Sequence, residues 1–251
     1  MQAWTESGKV TEHPEPWGIK GTFSTLRLCK QNHIPFLNLY LNRLIESAKT
    51  LQLGWYPDQN FIKDKLFEYI SQNSLSEKLI RICLFENMIG ICDRAIISDG
   101  KPVEGWLINY KRPIPSIKST FEKELYGRLS ELDLSTEDWF IMDPKDKDIR
   151  ETATSNLIFV RGNELIIPEK KILQGIVINK LIPELKKSFT ILRQIPKDYE
   201  ISQFSEILLC GTGRGVAPLQ ELSELGWSSN SNEIYLKVRS LYNMLISSNN
   251  A

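Results

Sequence analysis

The chain has 251 residues, of which 41% are hydrophobic and 25% charged, values that support a packed core and exclude a disordered, collagen-like or membrane-embedded polypeptide. Lysine plus arginine and aspartate plus glutamate both total 31, so the formal charge is zero. No nucleic-acid or membrane partner is expected, and a small-molecule substrate is.

The first nine residues, Met1 to Lys9, lack the basic start and apolar core of a signal peptide, which points to the cytoplasm. Trp17 to Leu28 carries two glycines and then alternates apolar and polar residues, the pattern of a half-buried strand. Leu37, Leu41, Leu44, Ala48 and Leu51 recur at steps of four and three and predict a helix. A second helix is predicted over Phe61 to Ile70, with Phe61, Leu66, Tyr69 and Ile70 toward the core. Leu79 to Phe85 reads as a buried strand, interrupted by Arg81 and far short of a bilayer span. Ile89 to Ser98 and Val103 to Tyr110 are predicted as further strands.

In Lys111-Arg-Pro-Ile-Pro-Ser116 each proline biases the residue before it away from helix, so a linker and the domain boundary are placed there: 1–112 and 113–251. After Lys118, Ser119 and Glu122 have capping-box spacing, and Phe121, Leu125, Leu129 and Leu132 supply a helical face. Trp139 to Met142 reads as a strand, and Asp143 to Asp148 as a charged turn. Leu157 to Val160 and Leu165 to Ile167 read as a hairpin closed by Arg161-Gly162-Asn163. Gly175 to Ser188 has helical periodicity, with which Pro183 conflicts. Ile207 to Cys210 is a short strand running into a glycine-rich loop, Gly211 to Pro218, whose backbone can approach a ligand closely.

That loop is no dinucleotide fingerprint, because too little chain follows Gly215 for the rest of such a domain. Cys29, Cys83, Cys92 and Cys210 form no Cys-x-x-Cys pair, and with only His13 and His33 beside them no metal site is expected.

The scattered segments, in their order, resemble the class IV aminotransferase family, which includes branched-chain and D-amino acid aminotransferases and 4-amino-4-deoxychorismate lyases. Gly21-Thr-Phe-Ser-Thr-Leu-Arg27 is similar to the family's Gly-x-Phe-Glu-Thr-x-Arg strand, and Arg43-Leu-Ile-Glu-Ser-Ala48 to its Arg-Leu-x-x-Ser-Ala helix. Ile117-Lys118 matches the lysine before a helix, and Glu151-Thr-Ala-Thr-Ser-Asn156 the Glu-Gly-x-x-x-Asn segment. Ile172-Leu-Gln-Gly-Ile176 and Gly211-Thr212 through Pro218 complete the series. Ordered motifs are more specific than any one alone.

The resemblance implies a mixed α and β, two-domain D-amino acid aminotransferase-like fold. Its smaller N-terminal domain is α+β, and its larger C-terminal domain has a mixed barrel-like sheet. It implies pyridoxal 5'-phosphate as cofactor, attached to Lys118, whose amine also serves as the base. Glu151 would face the pyridine nitrogen, with Asn156 nearby. Arg43, the amides of Gly175, Ile176 and Val177, and Thr212 with Gly213 would hold the phosphate. Val177 stands where the family usually has threonine, so a hydroxyl is lost while the amide remains. Arg27, Arg81 and Arg214 are the candidate partners of a substrate carboxylate, Arg214 first because it interrupts the glycine-rich loop.

Short length and a reduced Pro14-to-Gly18 approach disfavour a branched-chain aminotransferase and favour the lyase, which makes p-aminobenzoate and pyruvate for folate synthesis. A branched-chain or D-amino acid aminotransferase and a non-catalytic cofactor-binding protein are the alternatives. A homodimer is implied.

Overall fold

Residues 1–248 are described by a computed structural model, in which the chain divides into two units. The first comprises Met1–Ile96 and Ile117–Gly127; the second comprises Ile97–Ser116 and the described residues from Arg128 onward.

In the first unit β1 (Gln2–Thr5), β2 (Val10–Thr11), β3 (Thr22–Leu28), α1 (Leu37–Thr50), α2 (Gln59–Gln72), β4 (Lys78–Leu84) and β5 (Met88–Ala95) follow in chain order. The strands form one antiparallel sheet in the order β2-β1-β5-β4-β3. The predicted stripe of α1 is buried through Leu41, Leu44 and Ala48. In α2 the buried stripe is Ile62, Leu66, Tyr69 and Ile70, with Ile62 in place of the predicted Phe61. Steps of four, three and one keep those four on one side, and Phe61 packs edge-on against Trp55 instead. Asp58 caps α2 by accepting the Phe61 N–H at 2.9 Å.

The segment after the linker runs beside β3. The Lys118 carbonyl accepts the Phe23 N–H and the Thr22 hydroxyl, each at 2.9 Å, and Thr120 N–H donates to the Gly21 carbonyl at 3.0 Å. Gly21 permits this approach, since a Cβ there would lie 2.5 Å from the Leu84 carbonyl. These bonds hold Ile117–Gly127 in the first unit, so the division is not the single boundary predicted after residue 112. They also displace the predicted cap. Ser119 bridges to Thr22, the helix shrinks to α3 (Lys123–Tyr126), and Phe121 is exposed.

The second unit is built on β6 (Val103–Asn109), β7 (Glu137–Met142), β8 (Ile149–Thr152), β9 (Asn156–Arg161), β10 (Glu164–Ile166), α4 (Ile176–Leu185), β11 (Thr190–Leu192), β12 (Glu206–Gly211), β13 (Gly215–Leu222), β14 (Trp227–Ser228) and α5 (Glu233–Ser248). Pairing runs β9-β12-β13-β6-β7-β8 and returns to β9, closing a six-stranded barrel. The sheet is mixed, because β6 lies parallel to both β7 and β13. Both faces are buried, which explains the continuous apolar runs. Leu157, Phe159, Ile207 and Leu209 join one core cluster, while the alternate residues Ile158, Val160, Leu208 and Cys210 pack with α4 and α5.

Pro183 sits in the last turn of α4, which stops at Leu185 rather than Ser188. The glycine-rich loop is shorter than predicted. Gly215 already opens β13, leaving only 212–214 as the turn. β1 and α5 had no clear local signal. The start of α5 is held by Glu206 of β12, a buried carboxylate that accepts Ser231 Oγ at 2.8 Å and the Ile234 and Tyr235 N–H groups at 2.9 and 2.7 Å. Glu206→Ala is expected to lower unfolding free energy by about 2 kcal/mol, read from the urea midpoint, with Glu206→Gln losing less. Among the described residues no helix is long and apolar enough to cross a membrane.

Candidate active site

The first unit carries Lys118, Arg27, Arg43 and Arg81. The Lys118 side chain is half-buried, with Nζ 4.9 Å from the Phe23 ring centroid and 5.8 Å from that of Tyr126. Trp17 stacks on Tyr126 at 5.0 Å, and Phe23 stands edge-on to both rings. The Arg81 guanidinium lies over the same rings, 4.7 Å from Trp17 and 5.4 Å from Phe23. Its Nε is buried without a hydrogen-bond partner, and no carboxylate pairs with it among the described residues. Lys118 and Arg81 therefore flank one aromatic trio, an arrangement favoured by attraction between cation and ring face.

Arg27 is buried four residues beyond Phe23 on β3, on the same face of the sheet as Thr25, whose cross-strand partner is Arg81. Arg43 projects from α1 and donates from Nη2 to Ser24 Oγ at 3.2 Å. Ser24 occupies the position where the family motif has glutamate.

The second unit carries the remaining candidates. Glu151 of β8 is buried, accepts from Arg112 Nη1 at 3.2 Å, and takes the Leu173 N–H at 3.2 Å on its nearer oxygen. Both partners of the ion pair are almost fully buried, at 4% and 5% side-chain exposure, so the carboxylate is desolvated and held by donors rather than by water. Asn156 stands opposite Glu151 in the β8–β9 pairing and donates from Nδ2 to the Leu173 carbonyl at 2.8 Å. Two residues on, Gly175 begins α4 as its N-cap with no side-chain capping bond, followed by the buried Ile176 and Val177. An uncapped helix start presents free N–H groups to an anion.

Thr212 and Gly213 form the turn between β12 and β13, half-buried beside the β8–β9 connection. A Cβ at Gly211 would lie 2.7 Å from Ser155 Oγ. Arg214, the leading sequence candidate for a substrate carboxylate, is turned inward. Its Nε meets Asp138 Oδ2 at 3.3 Å and its Nη2 donates to the Glu137 carbonyl. The same Asp138 oxygen accepts the Thr152 and Thr154 hydroxyls, and Asp138 is fully buried. A buried carboxylate this close claims the guanidinium, so Arg214 anchors the turn instead of offering a cation to a ligand. Arg214→Met leaves Asp138 charged and buried and is expected to cost about 3 kcal/mol of stability, measured by denaturant unfolding.

Sequence reasoning passed over Arg112, assigned only to a linker, and Trp17, whose place beside Arg81 depends on pairing across the sheet. Cys83 and Cys210 offer no nucleophile, since burial pushes each thiol up to about 12. Among the described residues no group of acidic, histidine or cysteine side chains is arranged to hold a metal ion.

A family model described as amino-transferase class IV matches residues 21–222, from the strand motif through β13. The chain belongs to the class IV amino-transferase family. Solved structures share the fold of this class IV chain. A branched-chain aminotransferase from the archaeon Thermoproteus uzoniensis, with norvaline, is 18% identical, with 98% of this chain and 95% of that one covered and a TM-score of 0.82. A Legionella pneumophila protein provisionally named 4-amino-4-deoxychorismate lyase is 19% identical, with 90% and 91% covered and a TM-score of 0.76. A hypothetical aminotransferase from Mycobacterium tuberculosis, in its pyridoxal-phosphate-bound form, is 16% identical, with 99% and 100% covered and a TM-score of 0.77. No curated protein sequence matches at a significant level.

The class IV family depends on pyridoxal 5'-phosphate. The groups that cofactor needs are present in this chain: an amine on Lys118, a buried carboxylate on Glu151, and an uncapped helix start at Gly175. Asn156 donates to the Leu173 carbonyl, and Arg214 is paired with the buried Asp138.

Proposed function

We propose that this class IV chain is a pyridoxal-phosphate-dependent 4-amino-4-deoxychorismate lyase. The observation that carries the reading is the Arg81 guanidinium, free of any carboxylate among the described residues and stacked with Trp17 and Phe23 beside the Lys118 amine. Aromatic walls and an unneutralised cation suit a flat ring bearing a carboxylate better than a branched aliphatic side chain.

When bound, the cofactor supplies an electron sink for the carbon that carries the substrate amine. Glu151 would face the pyridine nitrogen and favour its protonated form, and Arg112 with the Leu173 N–H orients that carboxylate. The N–H groups at the start of α4, with Thr212, would hold the cofactor's phosphate. Lys118 removes the proton from the amine-bearing ring carbon. The neighbouring carbon–oxygen bond breaks, its electron pair leaves on the enolpyruvyl oxygen, and that fragment takes a proton to become pyruvate. The ring is left aromatic as p-aminobenzoate, which makes the elimination favourable. A cytoplasmic homodimer completes the reading, and the mass in solution checks its subunit number.

Paired product assays test it. Pyruvate and p-aminobenzoate released from aminodeoxychorismate without a keto acid support the lyase. Amino transfer from a branched-chain or D-amino acid to a keto acid, with no pyruvate from aminodeoxychorismate, replaces it with a transaminase. A visible cofactor band without turnover of either kind leaves a non-catalytic binding protein.

A further inference from the structure

The peptide groups flanking Leu173 are gripped on both sides by the same hairpin. Its N–H goes to Glu151 at 3.2 Å and its carbonyl receives the Asn156 amide at 2.8 Å. Glu151 and Asn156 are paired across β8 and β9, so one strand register delivers both contacts together. Leu173 is buried and lies two residues before the glycine that opens α4.

Asn156 also fills the space beneath that glycine. A Cβ at Gly175 would fall 1.7 Å from Asn156 Oδ1, so the amide and the N-cap backbone are in direct contact. The Asn156 side chain thus touches the approach to α4 at two points, Leu173 and Gly175, while being buried itself.

We infer that Asn156 is a positioning residue: it sets the start of α4 relative to Glu151, rather than contacting the cofactor. The role presupposes the cofactor assignment made under Proposed function. A rigid ligand held at its ring nitrogen and at its phosphate needs the two grips kept at one spacing, and misplacement of either by a fraction of an ångström weakens both. Glu151 is one grip and the uncapped N–H groups at Ile176 and Val177 are the other. Leu173 joins them, and Asn156 holds the side of Leu173 that faces the helix.

Pyridoxal, which lacks the phosphate, separates this role from general support of the fold. Dissociation constants of pyridoxal phosphate and of pyridoxal are measured for the wild-type protein and for Asn156→Ala, with thermal unfolding of each cofactor-free protein alongside. Asn156→Ala is expected to weaken pyridoxal phosphate about tenfold and to leave pyridoxal within about twofold. Equal weakening of both ligands, or no loss for the phosphate form, overturns the assignment.

Gly175→Ala supplies a second reading should Asn156→Ala not fold. Its methyl group collides with the Asn156 amide, so it is expected to lose phosphate-form affinity. Adding Asn156→Ala to it should recover part of that loss, and failure to recover any counts against the contact. A wild-type protein that binds neither ligand removes the cofactor assignment, and this role with it. Wild-type binding unchanged by Asn156→Ala removes only the positioning role.

Discussion

Lys118→Ala is expected to abolish the visible absorption band of the bound cofactor and to lower turnover by about 10⁴-fold, the loss that follows removal of a positioned base. The fold should survive the change. Lys118 is held by its carbonyl, which accepts the Phe23 N–H and Thr22 hydroxyl, and those bonds do not involve the side chain. Lys118→Arg sharpens the test. A guanidinium keeps a cation over the Phe23 and Tyr126 rings but stays protonated and cannot attach to an aldehyde. Both variants are therefore expected to lack the band, while the arginine form retains more of the thermal stability. Persistence of the band in Lys118→Ala would show that another amine carries the cofactor.

Glu151→Gln is expected to reduce kcat by about 10²- to 10³-fold and to cost less stability than Glu151→Ala, since the amide oxygen keeps an acceptor for Arg112 and the Leu173 N–H although the counter-charge is lost. The pH dependence of the cofactor band should change with it, because the neutral amide no longer favours a protonated ring nitrogen. Glu151→Ala goes further. Arg112 loses a carboxylate partner at 3.2 Å in a site where both side chains are almost fully buried, and a stability loss of about 3 kcal/mol is expected from denaturant unfolding. Pairing Glu151→Ala with Arg112→Met should recover part of that stability without recovering turnover. An unchanged band profile and kcat in Glu151→Gln would remove the ring-nitrogen role.

The two kinds of candidate differ in how much of their setting is local. Asn156 begins a strand that reads clearly and Gly175 a helix whose apolar spacing is visible, whereas β8, which carries Glu151, had no strand reading of its own and was marked only by its motif. Arg214 had the same quality of motif. Its partner Asp138 lies on β7, 76 residues away, and neither residue's own segment signals the other. The segment after Lys118 misled for a related reason. Ser119 and Glu122 have the spacing of a cap, but Ser119 pairs with Thr22, and the backbone follows that pairing rather than the local preference. Likewise α5 depends on Glu206, a residue on another element.

From the sequence alone came the family, the motif positions of Lys118 and Glu151, and four of the six barrel strands, β6, β7, β9 and β12. These depend on residue type and short-range order, which periodicity and motif spacing record directly. Tertiary structure alone decided that Ile117–Gly127 joins the first unit and that Arg81 keeps an unneutralised charge over Trp17 while Arg214 does not. It also decided that Asn156 serves the start of α4. Each of these is a choice of partner among distant residues, made by strand register and by which buried charge lies within reach, and local patterns carry no record of it.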